Sequence, residues 1–418
     1  MNWLVMLGDF GIGGCLADDM GLGKTVQTLA WLLHQRQNGI SAPALLICPT
    51  SVMCNWEKEA QKFASSLNVI RHHGPNRPGN VGEFSARTRS ADLVVTSFSL
   101  LSRDRNLFRN VTRQWSAIIL DEAQNIKNPN TAVSKAACDL SASGATRLAL
   151  TGTPVENGPR DLWPIMEFLN PGMLGTLSEY DKNIASPIEH GKDSDHRQRL
   201  KEKIKPFILR RVKTDPGIAP DLPPKIEQIV WCTLTREQAA WYQAALNNMR
   251  SALQSRDARE RQGAILKVLL QLKLACNGVA SLQKDRSDIY SRSGKIERLA
   301  DMLASVVVNG EKALVFSQYP SQFEKLRALL MQRLASELDR PVDVLTITGD
   351  DSVAAREETQ RRFAESERVS VILISLKAGG TGLNLQSATH VFHLDRWWNA
   401  AVEDQATDRA WRIGQTQT

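Results

Sequence analysis

The chain has 418 residues, enough for two domains with an insertion, and its composition of 42% hydrophobic and 23% charged residues is ordinary for a globular protein. No apolar run approaches the roughly 20 residues of a membrane-spanning helix, and no basic region precedes the short apolar patch at the amino terminus, which argues against a signal peptide. The net charge of +7 suits a polyanionic partner, and without a basic tail that partner would bind a folded surface.

The six cysteines are scattered and form no CxxC pair. This spacing disfavours a zinc site. In a chain of this size without an export signal, it predicts reduced structural thiols in an intracellular compartment.

Short apolar runs rich in β-branched residues alternate with helical patterns along the chain. Such alternation predicts an α/β fold of two lobes, each with a parallel sheet flanked by helices, and helical insertions between them. The predicted strands cover residues 14–17, 44–48, 93–96, 118–120, 147–150, 313–316, 371–374 and 390–394. We expect a first lobe over residues 1–205, a connector and helical insertion over 206–290, and a second lobe over 291–418, truncated at its carboxyl end.

A glycine-containing loop, residues 18–25 (DDMGLGKT), stands between the first predicted strand and a helix. Its glycines let backbone N–H groups turn toward an anion, with the positive end of the helix behind them. Lys24 would reach the β- and γ-phosphates of a nucleotide, and the Thr25 hydroxyl would ligate Mg²⁺. Asp18 stands where the strict consensus has its first glycine, and an ordinary loop before a helix is the alternative interpretation. The candidate nucleotide-binding residues here are Asp19, Met20, Gly21, Leu22, Gly23, Lys24 and Thr25.

Two carboxylates follow a buried strand, at the position where ligands bind in parallel sheets. Asp121 is predicted to hold Mg²⁺, Glu122 to orient and deprotonate an attacking water, and Gln124 to sense the γ-phosphate. An acidic pair after a strand is more commonly a solvated strand end, so this interpretation depends on the phosphate loop. Residues 151–154 (TGTP) follow the next strand and would either couple nucleotide to substrate or form a simple turn.

Two segments near the carboxyl terminus complete the pattern. Residues 375–385 (SLKAGGTGLNL) are rich in glycine, which permits close approach to a phosphate chain, although a flexible turn explains them equally well. Residues 405–412 (QATDRAWR) are predicted to be helical, which places Arg409 and Arg412 on one face. Surface arginines are usually solvated, but this pair is a candidate for stabilising charge on a transferring phosphoryl group.

Taken in order, these motifs resemble the Swi/Snf family, the double-stranded-DNA translocating ATPases of the second helicase superfamily. The resemblance covers nearly the whole chain and is carried by LADDMGLGKTVQTLA, LLICPTSVMCNWEKE, DEAQNIKN, LTGTPVEN, FILRRVK, SLKAGGTGLNL and DRWWNAAVEDQATDRAWRIGQ. It implies two RecA-like lobes, ATP and Mg²⁺ in a cleft between them, and tracking along duplex DNA without strand separation.

The resemblance also implies roles for individual positions. Residues matching the family's nucleotide site are Lys24, Thr25, Asp121, Glu122, Gln405, Arg409 and Arg412. Residues matching its DNA-facing motifs are Pro49, Thr50, Trp56, Thr96, Ser375, Lys377, Gly380, Thr381, Asn384 and Trp398, with a place in the core as the alternative for Trp56.

Three departures from the family pattern affect what we expect. The family's adenine-reading glutamine lies upstream of the tryptophan that matches Trp3, and this sequence begins at Met1, so the resemblance does not establish an adenine preference. The chain stops just past Gly414 and Gln415, where the family continues, so we expect a fragment of a longer protein. Trp411 occupies a position usually held by histidine, which predicts an altered local contact.

The expected function is ATP-dependent translocation on double-stranded DNA that remodels DNA-bound protein complexes, such as nucleosomes or RNA polymerase. A strand-separating helicase and a nucleic-acid-binding module without turnover are the alternatives. We expect a monomer with no membrane partner, located in the cytoplasm (nucleoid) of a prokaryote or the nucleus of a eukaryote.

Overall fold

The computed structural model describes residues 1–111, 114–140, 144–152, 158–190, 194–252, 258–278, 293–379 and 383–417. The chain divides into two compact units, unit 1 (Met1–Pro220) and unit 2 (Asp221–Thr418). No helix in the described part of the chain is long and apolar enough to cross a membrane.

Unit 1 is built around a parallel sheet in the order β3-β4-β2-β5-β6-β1-β7. Its strands are β1 (Gly14–Leu16), β2 (Ala44–Cys48), β3 (Val69–Arg71), β4 (Leu93–Ser97), β5 (Ala117–Asp121), β6 (Thr146–Leu150) and β7 (Ile208–Leu209). Alternate residues of β2 belong to two different apolar clusters, Leu45 and Ile47 to one and Leu46 and Cys48 to the other. Because successive side chains of a strand point to opposite faces, both faces of this sheet are covered.

Helices connect these strands and supply the two clusters. They are α1 (Asn2–Asp9), α2 (Lys24–Gln37), α3 (Met53–Phe63), α4 (Val81–Thr88), α5 (Phe98–Arg103), α6 (Arg105–Arg109), α7 (Ala132–Leu140), α8 (Leu162–Leu169), α9 (Leu177–Tyr180), α10 (Ser186–Glu189) and α11 (Ser194–Ile204). The parallel connections bring the carboxyl ends of β1, β5 and β6 to one edge of the sheet, where the predicted site residues follow.

Unit 2 contains a smaller parallel sheet in the order β11-β8-β10-β9. Its strands are β8 (Ala313–Ser317), β9 (Asp343–Ile347), β10 (Val369–Ser375) and β11 (His390–His393). Its helices are α12 (Arg236–Ala252), α13 (Ala258–Asn277), α14 (Gly294–Val308), α15 (Phe323–Leu338), α16 (Val353–Glu365), α17 (Leu376–Gly379) and α18 (Ala400–Thr407). Before α12, Thr235 and Gln238 form the reciprocal pair of a capping box, with N–H···O distances of 3.1 and 3.2 Å.

The predicted fold class is confirmed, and each predicted strand corresponds to a strand of the structure. Strands β3, β7 and β9 were not predicted, and β3 and β7 are too short for a periodic pattern to show. Unit 1 continues past the predicted lobe boundary at residue 205, because β7 pairs in parallel with β1. The predicted insertion helices, α12 and α13, belong to unit 2.

Candidate functional site

The phosphate loop of unit 1 has the backbone that its glycines predict. Gly21 and Gly23 lie in the left-handed region, at φ of 83° and 73°, where a side chain is strained. Gly23 precedes the first residue of α2, so the amino-terminal N–H groups of this helix face the loop. The candidate residues from Asp19 to Thr25 therefore form one continuous loop with the backbone geometry that anion binding requires.

Lys24 is half-buried beside this loop. Its Nζ donates hydrogen bonds to the carbonyl oxygens of Asp18, at 2.6 Å, and Asp19, at 3.1 Å. Burial lowers the pKa of Lys24, whereas the negative charges of Glu122 and Asp121 act in the opposite direction. The ammonium group thus lies between the loop and the acidic pair at the end of β5, as a phosphate-binding lysine requires.

Asp121 ends β5 and is held by two donors. The indole Nε1 of Trp56 donates to Asp121 Oδ2 at 2.7 Å, and the backbone N–H of Glu122 donates to Oδ1 at 3.0 Å. Burial and then the charge of Glu122 raise the pKa of Asp121 well above its usual range. A bound cation would stabilise the ionised form of this buried carboxylate, so the position of Asp121 suits a metal ligand.

Glu122 adopts a left-handed backbone conformation, with φ of 54°, that is uncommon for a residue with a side chain. Its Oε2 accepts a hydrogen bond of 2.9 Å from Gln124 Nε2. The Gln124 Oε1 in turn accepts a 2.8 Å bond from the hydroxyl of Thr151, which is fully buried at the end of β6. This chain connects the predicted base with the start of the TGTP segment, whose residues Thr153 and Pro154 lie outside the described residues.

The donor set fits Mg²⁺ and a nucleotide. Asp121 and the Thr25 hydroxyl offer hard oxygen ligands. A site with few protein ligands is typical of Mg²⁺, which keeps waters and phosphate oxygens in its coordination shell.

Two residues expected to face DNA are buried in unit 1. Trp56 is 1% exposed and donates to Asp121, and Thr96 is fully buried, with its hydroxyl donating to the carbonyl of His72 at 3.1 Å. Neither side chain reaches the surface of the unit, so the DNA-facing assignment of both is corrected to a role inside the sheet and its helices. Pro49 is half-buried and Thr50 is exposed, so both are accessible after β2.

The first glycine-rich candidates of unit 2 follow β10. Ser375 is 4% exposed, and its hydroxyl oxygen accepts a 3.3 Å hydrogen bond from the backbone N–H of Ala378, which stabilises the start of α17. Lys377 and Asn384 are exposed. Gly380 and Thr381 lie outside the described residues.

Trp398 is 75% exposed, and the Nζ of Lys273 lies 4.8 Å from the centre of its ring. A cation held over an exposed aromatic face combines charge with a stacking surface. Lys273 was not predicted from the sequence, because no spacing rule relates a residue in α13 to one that follows β11.

The arginine segment departs from its predicted conformation. Helix α18 ends at Thr407, so Gln405 is helical, whereas Arg409 and Arg412 lie in the turns that follow. After the helix ends, Arg409 forms two hydrogen bonds with the glycine-rich segment. Its carbonyl accepts a hydrogen bond from the N–H of Leu385, at 3.1 Å, and its Nε donates one to the carbonyl of Gly379, at 2.8 Å. The prediction that both arginines share a helical face is wrong.

Trp411 makes a local contact within unit 2. Its Nε1 donates to the carbonyl of Pro223 at 2.9 Å, and the Nζ of Lys225 lies 5.3 Å from its ring centre. The tryptophan therefore ties the arginine segment to the beginning of unit 2.

Comparison with known proteins agrees with this architecture. The SNF2-related domain family matches residues 1–280, and the helicase conserved C-terminal domain family matches residues 294–414. The SWI2/SNF2 ATPase core of Sulfolobus solfataricus, solved in complex with double-stranded DNA, is 40% identical, with a TM-score of 0.51 over 100% of this chain and 84% of that one.

Two relatives extend the comparison. The protein YwqA of Bacillus subtilis, named as an ATP-dependent helicase/translocase, is 42% identical to this chain. The match covers 99% of this chain and 44% of YwqA. The human SWI/SNF-related regulator of chromatin subfamily A member 1 is 32% identical over 99% of this chain and 39% of its own. The chain thus spans less than half the length of these relatives. It belongs to the SNF2-related family and contains both its SNF2-related domain and its helicase C-terminal domain.

Proposed function

We propose that this chain is a DNA-dependent ATPase that moves along double-stranded DNA. The observation that carries the proposal is the convergence of Lys24, Asp121 and Glu122 at one edge of the unit 1 sheet. Charge, burial and hydrogen bonds suit each of them to nucleotide hydrolysis. The S. solfataricus core, which is 40% identical, was solved with duplex DNA, and this supports duplex DNA as the partner.

In the proposed reaction, the amides of the phosphate loop and the ammonium of Lys24 bind the phosphates of ATP. Thr25 and Asp121 would hold Mg²⁺, and the bound ion would neutralise charge on the phosphate oxygens. Glu122 orients the attacking water and takes its proton. Gln124 accepts a hydrogen bond from the hydroxyl of Thr151 and donates one to Glu122, so it holds the carboxylate of the proposed base in position.

Unit 2 is proposed to supply the remaining groups. Gln405, Arg409 and Arg412 match the family's nucleotide-site positions, and arginines in such positions stabilise charge on a transferring phosphoryl group. Arg409 is 6% exposed and bonded to Gly379, next to the glycine-rich segment proposed to contact DNA. This bond supports a coupling within unit 2 between the arginine and that segment.

The proposed DNA surface consists of exposed or accessible groups. In unit 1 these are Pro49 and Thr50, and in unit 2 they are Lys377, Asn384 and Trp398, the last with Lys273 over its ring. Small polar groups and cations of this kind contact phosphates and sugars and read no sequence. The proposed grip therefore has little sequence preference and weakens steeply with salt.

A Glu122→Gln variant tests the proposed base. It keeps the size of the side chain and the hydrogen bond with Gln124 but removes the proton acceptor. We expect ATP to bind with unchanged affinity while turnover falls at least about a hundredfold, the usual contribution of a general base. Unchanged turnover would remove Glu122 from this role.

A strand-separating helicase is the second candidate, because one relative is named as a helicase or translocase. Two substrates distinguish the functions: a duplex carrying a third strand in its groove, and a forked duplex. A translocase displaces the third strand with ATP and leaves the fork paired, whereas a helicase separates the fork. Nucleosomes and RNA polymerase are candidate obstacles for the proposed movement.

A further inference from the structure

Asp18, the residue that replaces the first glycine of the phosphate-loop consensus, is fully buried and paired with Arg211. Its Oδ1 accepts hydrogen bonds from the Arg211 backbone N–H, at 3.1 Å, and Nε, at 3.0 Å, and its Oδ2 accepts from Nη2. Gln27 in α2 donates to Oδ2 at 3.3 Å and accepts a 2.7 Å bond from the same guanidinium. A bidentate ion pair of this kind fixes both side chains in position and orientation.

The segment that carries Arg211 runs beside the loop, and we call residues 209–213 the strap. The N–H of Ala17 donates to Leu209 O at 2.7 Å, and the N–H of Asp19 donates to Arg211 O at 3.0 Å. The N–H of Lys213 donates to Asp19 Oδ2 at 3.0 Å. Parallel pairing begun by β7 therefore continues along the loop, and the strap is one of the last segments of unit 1 before it ends at Pro220.

The same loop residues support the phosphate-binding lysine. Asp18 and Asp19, whose carboxylates are held from the strap, offer their carbonyl oxygens to Lys24 Nζ. Gln27 also donates to the carbonyl of Leu22 at 3.0 Å, so the network holds the loop before and after its first left-handed glycine. Displacement of Asp18 would move both the backbone on which Lys24 rests and the amides that face a phosphate.

We propose that Arg211 is a positioning residue that holds the phosphate loop in its nucleotide-binding shape through Asp18. Its guanidinium donates to Asp18 and Gln27, so in this role it acts through the loop. Its removal leaves a buried carboxylate without its main partner, which is costly enough to reorganise the loop. The inference rests on the proposed function in that the ligand of the loop is taken to be a nucleotide.

Four variants test it: Arg211→Gln, Arg211→Lys, the double variant Asp18→Asn with Arg211→Gln, and the control Arg210→Gln, which changes the exposed neighbouring arginine. The first readout is the affinity for a fluorescent ADP with Mg²⁺. We expect about a tenfold loss for Arg211→Gln, as for one or two charge-assisted hydrogen bonds, and less than about twofold for Arg210→Gln. Arg211→Lys, which keeps the charge, falls between them.

The double variant separates positioning from a general structural effect. Because it removes the buried charge together with its partner, we expect it to bind ADP more tightly than Arg211→Gln alone. Wild-type affinity in a folded Arg211→Gln protein would overturn the proposal, as would a double variant no better than the single one. If Arg211→Gln does not fold, the ADP affinities of Arg211→Lys and of the double variant test the proposal, and wild-type affinity in Arg211→Lys would overturn it.

The second readout needs no nucleotide. Hydrogen exchange of the amides from Asp19 to Lys24 should be faster in Arg211→Gln than in Arg210→Gln, while exchange in β2 stays the same. If the wild-type protein binds no ADP, the proposed function fails and exchange alone decides on Arg211. Unchanged exchange in the loop would overturn the positioning role whatever the nucleotide result.

Discussion

The indole of Trp56 is expected to stabilise the ionised form of Asp121, and a matched pair of variants measures this. Trp56 and Trp31 are both 1% exposed and belong to the same apolar cluster of unit 1. Trp56 Nε1 donates to Asp121, whereas Trp31 Nε1 is buried with no hydrogen-bond partner among the described residues. Replacing each with phenylalanine removes a similar volume but only one hydrogen bond.

The structure sets the size of the difference. The loss of ring volume is common to both variants, so it largely cancels. A hydrogen bond to a charged group contributes about 1.5–3 kcal/mol. We therefore expect Trp56→Phe to lower the free energy of unfolding of unit 1 by about 2 kcal/mol more than Trp31→Phe, roughly a 30-fold difference in the opening equilibrium.

The difference should also depend on pH. The bond from Trp56 favours the charged carboxylate and lowers the pKa of Asp121, against the larger effect of burial, which raises it. A folded-state pKa above the unfolded value means that stability falls as pH rises through that range. Without Trp56 the pKa is higher still, so the excess cost of Trp56→Phe is largest at pH 8 and shrinks at pH 5, where Asp121 is protonated.

The assay is hydrogen exchange of the β2 and β5 amides in increasing urea, because a chain of two units does not unfold in one step. Mg²⁺ and nucleotide are left out, so no ligand replaces Trp56 at the carboxylate, and the bond from the Glu122 N–H is present in both variants. Equal costs for the two phenylalanine variants at pH 8 would refute the reasoning, and so would a difference that does not change with pH.

Three further predictions concern other contacts. Thr151→Val removes the hydroxyl that is hydrogen-bonded to Gln124 and should lower DNA-stimulated hydrolysis about tenfold, with ADP affinity unchanged. The control is Thr88→Val, which removes a buried hydroxyl within a helix, and an equal loss of hydrolysis in this control would contradict the prediction. Lys377→Ala should reduce the slope of log DNA affinity against log salt by about 0.9, one phosphate contact, and an unchanged slope would remove Lys377 from the DNA surface. Burial lowers the pKa of His72 below 6.5, against the opposing effect of Asp104, so the unfolded chain binds more protons than the folded chain as pH drops below 6.5. The melting temperature should therefore decline in this range, and His72→Gln should flatten the decline. An identical decline in wild type and variant would contradict this prediction.

The sequence predicts the elements of this protein better than their contacts. The phosphate loop, β5 with its acidic pair and β10 with its glycines follow from short apolar runs and the residues after them, which are local signals. The bonds from Trp56 to Asp121 and from Arg211 to Asp18 join residues far apart in the chain. No spacing rule connects them, because only the folded sheet brings them together.

The errors have the same origin. Trp56 and Thr96 were assigned to the DNA surface by their match to the family's motifs, with the core as the alternative for Trp56, but both form their hydrogen bonds inside unit 1. The segment from Gln405 to Arg412 has helical composition, yet tertiary bonds from Arg409 to Gly379 and Leu385 end the helix early. In both cases packing overrides a local preference.

The central claim is that hydrolysis of ATP by this chain depends on duplex DNA. The direct measurement is the steady-state ATPase rate of the protein alone and with double-stranded DNA, single-stranded DNA or RNA at one salt concentration. We expect a low basal rate and stimulation chiefly by the duplex, with turnover at least about a hundredfold lower in Glu122→Gln. Equal stimulation by single strands or RNA, or no hydrolysis under any condition, would contradict the account.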